Sequence, residues 1–117
     1  MKVGDFEKLT GLAVHATREA GRIINSFSQQ EVEVECKDGG HTYASQVVTV
    51  VDRKAQDAIL ETLSPACDEY DFALLTEESE DDHSRFQKEY FWCIDPLDGT
   101  LPFTRKEPGY SVSIALV

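Results

Sequence analysis

Apolar positions fall in steps of three and four from Phe6 to Phe27, through Leu9, Ala13, Ala16, Ala20, Ile23 and Ile24. That spacing predicts an amphipathic helix about 33 Å long, with Lys8, Thr17, Arg18, Arg22 and Asn25 on the opposite face. The small residues Ala13, Ala16, Ala20 and Gly21 would let a second helix approach closely. Glu31 to Cys36 alternates strictly and predicts a half-buried strand, followed by a glycine-containing loop from Lys37 to Thr42. Val47 to Val51 is β-branched, but Thr49 and Asp52 have capping-box spacing. We therefore expect Thr49 as N-cap of a second helix from about Val50 to Leu63. Its buried face would be Val51, Ala55, Ala58, Ile59 and Leu63, and Pro65 would follow its end. Two apolar runs then end in carboxylates. Asp71 to Glu78 reads as a strand delivering Glu77 and Glu78, and Tyr90 to Ile94 as a strand stopped by Asp95 and Pro96. Tyr110 to Val117 alternates again, with Tyr110, Val112, Ile114 and Leu116 on one face.

This order predicts an α+β fold, with two amphipathic helices packed on a mainly antiparallel sheet. The 117 residues suit a single domain. The chain stops at Val117 within an apolar strand, so we expect the N-terminal part of a longer protein, or one that needs a partner surface.

Composition narrows the partners. The formal net charge is -11, from 22 acidic and 11 basic residues. Such a surface repels nucleic-acid polymers and anionic membranes, while it suits cations and metal-masked phosphate esters. Cys36, Cys67 and Cys93 show no metal-type spacing and read as thiols of a reduced, cytoplasmic protein. The N-terminus has no apolar signal region, and no run is long enough to span a membrane.

The chemistry gathers at Asp95-Pro96-Leu97-Asp98-Gly99-Thr100. Mg²⁺ takes hard oxygen ligands, and two aspartates three residues apart, with the Leu97 carbonyl between them, can supply them. Amide groups at Gly99 and Thr100 suit a phosphate if a helix begins there. Asp98 could instead serve only as an N-cap. Glu77 and Glu78 can converge on the same place, whereas Glu80, Asp81 and Asp82 read as a solvated loop. His15, His41 and His83 lack metal spacing, and Asp52 reads as a helix-start carboxylate. No GxSxG, Walker A or CxxC pattern is present. Leu97 to Leu101 superficially matches the Asp-x-Asp-Gly-Thr signature of haloacid-dehalogenase-type phosphatases. Pro96 occupies the nucleophile position of that signature, so an aspartyl-phosphate route is excluded.

Three segments together resemble the inositol monophosphatase superfamily: Thr76-Glu77-Glu78-Ser79, Trp92 to Thr100, and Tyr110 to Leu116. The resemblance covers essentially the whole chain. It implies a layered α/β sandwich, here an incomplete N-terminal half. It also implies Mg²⁺-dependent, lithium-sensitive hydrolysis of a phosphate monoester such as inositol monophosphate or 3'-phosphoadenosine 5'-phosphate. Glu77, Asp95, the Leu97 carbonyl and Asp98 would be metal ligands. Gly99 and Thr100 would hold the phosphate, the Thr100 hydroxyl would position the attacking water, and Glu78 would assist. The partner would be a small phosphorylated substrate, with a homodimer allowed. Two departures stand out: Thr76 replaces a family glycine, and Ala44, Ser45 and Gln46 lie where the family carries an acidic residue. If the chain acts alone, we expect little or no turnover. The alternative is a non-catalytic homologue that binds metal or a partner protein.

Overall fold

The computed structural model describes residues 1–29, 43–77, 80–98 and 110–117, with only the backbone of 28–29 and 43–49. The strand expected at Glu31 to Cys36 and the loop after it lie outside the described residues. Helix α1 spans Val3–Gln29 and α2 spans Tyr43–Tyr70. Strands β1 (Ala73–Thr76), β2 (Phe91–Asp98) and β3 (Ser111–Leu116) form one sheet in the order β1-β2-β3. The architecture is two helices layered on a mixed sheet. β1 and β2 are parallel, while β2 and β3 are antiparallel. The expected bias towards antiparallel pairing is therefore not complete. The connection from Glu77 to Tyr90, with a 3-10 turn at Ser84–Phe86, returns the chain so that β2 runs beside β1 in the same direction.

Helix α1 buries Leu9, Ala16, Ala20 and Ile24, as its periodicity predicts. Ala16 and Ala20 are fully buried and let α2 pack closely. Gly21 takes no part in that approach, because a Cβ there would meet nothing within 4 Å.

Helix α2 differs from expectation at both ends. It begins at Tyr43 rather than Val50, so position 49 is helix interior and Thr49 is not an N-cap. Positions 47–51 are helical despite the β-branched run there, with Val51 fully enclosed. At the other end the helix runs through Pro65 to Tyr70. An interior proline costs about 3 kcal/mol. The buried stripe of Val51, Ala55, Ile59 and Leu63 nevertheless continues to Ala66 beyond it, and the burial offsets the lost bond.

The true stop is Asp71, which takes a left-handed φ of 60°. The Phe72 N–H then donates to the Cys67 carbonyl at 3.1 Å, closing a Schellman motif without glycine. The Lys88 ammonium pairs with the Asp71 carboxylate. Phe72 stacks on Tyr70 and meets Tyr90 and Trp92 edge-on, joining the helix end to the sheet.

Pairing fixes which side chains share a face. Leu74 and Thr76 lie beside Trp92 and Ile94, which face Leu116 and Ile114. This inner face packs on the helices, with Trp92 and Ile94 each 2% exposed. Leu75, Phe91, Cys93, Asp95, Ser113 and Ala115 therefore belong to the outer face.

The acidic run at Glu80 to Asp82 is a built turn as well as a solvated one. The Asp81 carboxylate accepts from the His83 N–H and the Arg85 guanidinium, and Asp82 accepts from the Ser84 N–H. These bonds hold both aspartates below the ordinary carboxylate range, led in Asp81 by the His83 backbone and in Asp82 by the Ser84 hydroxyl. Among the described residues no helix is long and apolar enough to cross a membrane.

Candidate metal centre

The stretch from Asp95 to Asp98 is strand, not the turn that Pro96 suggested. A β-bulge explains how. Asp95 pairs with Ser113 and Asp98 with Ser111, so three steps on β2 match two on β3. The extra residue falls within Pro96 and Leu97, and a bulge is where a strand tolerates a missing N–H. Pro96 and Leu97 are both buried, with Leu97 4% exposed. The Leu97 N–H donates to Asp95 Oδ1 at 3.3 Å, tying the carboxylate to the bulge.

The bulge has a chemical consequence. In a regular strand, residues three apart point to opposite faces. One inserted residue reverses that parity, so Asp95 and Asp98 share the outer face with Ser113 and Ser111. Glu77 joins them from β1. Thr76 pairs with Ile94, and the Glu77 N–H donates to the Ile94 carbonyl at 3.2 Å. Glu77 therefore lies alongside Asp95, at the carboxyl ends of two parallel strands. Asp95 is half-buried, while Glu77 and Asp98 are exposed.

Glu77, Asp95 and Asp98 thus form one acidic wall with hard oxygen donors. Among the described residues, no three His, Cys, Asp or Glu side chains close into a metal-holding group. The wall is an open arrangement. Glu78, Gly99 and Thr100 lie outside the described residues.

The chain matches the model of the inositol monophosphatase family over residues 5–117. It belongs to the inositol monophosphatase family. The inositol-1-monophosphatase of Mesorhizobium japonicum is 38% identical over 113 residues, covering 92% of this chain and 38% of the relative. The Nus factor SuhB of Salmonella typhimurium is 34% identical over 105 residues, covering 90% of this chain and 37% of the relative. Among solved structures, CysQ from Bacteroides thetaiotaomicron, a bacterial member of the family, superposes with a TM-score of 0.74 at 32% identity. That match covers 96% of this chain and 38% of CysQ. The chain therefore spans well under half the length of these relatives.

Within this family portion, two further positions stand out. Asp52 is 6% exposed and lies inside α2, not at its start, with Gln56 one turn on and 9% exposed. A buried carboxylate inside a helix is uncommon, which makes Asp52 a candidate functional position. Its sequence signal was its place directly after Val51 on the buried stripe, which the capping-box reading obscured. Thr76 is 8% exposed, and among the described residues its hydroxyl has no hydrogen-bond partner. The side chain faces the helices with Ile94, away from the acidic wall.

Proposed function

We propose that the chain is the N-terminal, cation-binding portion of a Mg²⁺-dependent phosphate monoesterase. The observation that carries this reading is the bulge that sets Asp95 and Asp98 on one face beside Glu77. The donor set fits Mg²⁺, which prefers carboxylate oxygens and commonly completes its shell with water and substrate phosphate. Glu77, Asp95, Asp98 and the Leu97 carbonyl would hold the cation. When bound, the cation would polarise the phosphoryl group and lower the pKa of attacking water. Gly99 and Thr100 would supply amides to the phosphate, and the Thr100 hydroxyl would orient the water with help from Glu78. The buried Pro96 and Leu97 anchor this wall from the core side and limit its movement. The substrate class is a small phosphate monoester of the inositol monophosphate or 3'-phosphoadenosine 5'-phosphate kind, encountered in the cytoplasm.

A second reading is a non-catalytic homologue that binds a cation or a protein. It is supported by the open arrangement of the carboxylates and by relatives named as Nus factors. Phosphate release by the longest natural form of the protein from inositol 1-phosphate and 3'-phosphoadenosine 5'-phosphate separates the two, measured with Mg²⁺, with chelator and with added Li⁺. The first reading predicts release that needs Mg²⁺ and is suppressed by Li⁺. Saturable Mg²⁺ binding without release would replace it with the second.

A further inference from the structure

The polar face of α1 does more than meet solvent. Thr17, Arg18 and Asn25 line a cavity of about 280 Å³ that Tyr110 and Val112 close from the start of β3. It opens on the helix side of the sheet, whereas Asp95 and Asp98 belong to the outer face. Gly21 is also in its lining, inside α1, where glycine is disfavoured relative to alanine. A Cβ there would meet nothing within 4 Å, so close packing does not require the glycine. A larger side chain would instead take up the open space of the cavity.

Charge sets this cavity apart. Lys8, Arg22, Arg85 and Lys88 pair with Glu69, Glu19, Asp81 and Asp71. Arg18 makes no ion pair among the described residues, although the chain carries a net charge of -11. Among the described residues no carboxylate lines the cavity with it. A second cleft, between α1 and α2, is the opposite case, since Glu19, Asp57 and Glu61 outnumber its Arg22 and Lys54. The Thr17 hydroxyl is committed to the Ala13 and Val14 carbonyls, which leaves the Arg18 guanidinium as the charged donor.

We propose that this cavity binds a small organic anion, with Arg18 taking its oxyanion and Ile24 and Val112 its apolar body. A guanidinium offers a planar fork of donors that matches carboxylate and phosphate oxygens. The volume is at the lower end for ligand pockets and fits a body of one ring, for which Gly21 leaves room.

The test uses the 117-residue chain in chelator, so that a cation-dependent phosphate site on the acidic wall does not contribute. Phenyl phosphate and benzoate are titrated while the amide shifts of Gly21, Asn25 and Val112 are followed by NMR. Saturable shifts are expected with at least one of the two, and the one that binds identifies the oxyanion. Arg18→Gln weakens binding about tenfold. Gly21→Leu abolishes it and keeps α1, because leucine is a good helix former. Arg22→Gln, which removes the same charge from the same helix, leaves binding unchanged. No saturable shift with either anion overturns the proposal. Equal affinity in the native chain and Arg18→Gln, or equal losses in Arg18→Gln and Arg22→Gln, overturns it as well.

Discussion

Single residues carry the chemistry of this fold, and Thr76 shows how sharply. Its hydroxyl is buried and, among the described residues, lacks a partner. Such a hydroxyl costs about 1–3 kcal/mol, whereas an apolar group of the same shape escapes that cost. Thr76→Val should therefore stabilise the chain by about 1 kcal/mol, seen as a higher urea midpoint with an unchanged slope. Cation binding should not change, because Thr76 points away from the acidic wall. Asp52 makes the complementary point. It shares spacing with a genuine capping box, and only the start of α2 at Tyr43 reveals it as an interior, buried carboxylate. Glu77 and Asp95 were legible as candidates because each follows an apolar run, and Asp98 because it lies three residues after Asp95. Their common face was not legible, since it depends on pairing with β3.

At the scale of elements, local signals and tertiary ones diverged at two prolines. Pro65 and Pro96 both read as terminators, and both lie inside regular structure. In α2, burial on either side of Pro65 outweighs one missing bond. In β2, the bulge places Pro96 where the ladder is already interrupted. The residue that does end α2, Asp71, gave no glycine signal and works through a left-handed φ of 60°. A β-branched residue is poorly tolerated there. Asp71→Val should cost about 1–2 kcal/mol by urea unfolding. Asp71→Gly should stay within about 0.5 kcal/mol of the native chain, because glycine removes the strain as it gives up the Lys88 pair.

For the molecule as a whole, the layered helix-on-sheet class followed directly from hydrophobic spacing. The α1 stripe and the alternation of β3 appear in the structure much as the residues predict. Strand direction did not follow. The parallel pairing of β1 and β2 depends on how residues 77–90 cross, and their composition carries no such information. That parallel pair sets Glu77 beside Asp95, so the wall is a product of topology as much as of motif. A Mg²⁺ titration of the chain by calorimetry, with Asp95→Asn measured alongside, tests the wall most directly. Saturable binding to the native chain, weakened at least about tenfold in Asp95→Asn, is the predicted result. No saturable binding, or equal affinity in the two proteins, would contradict it.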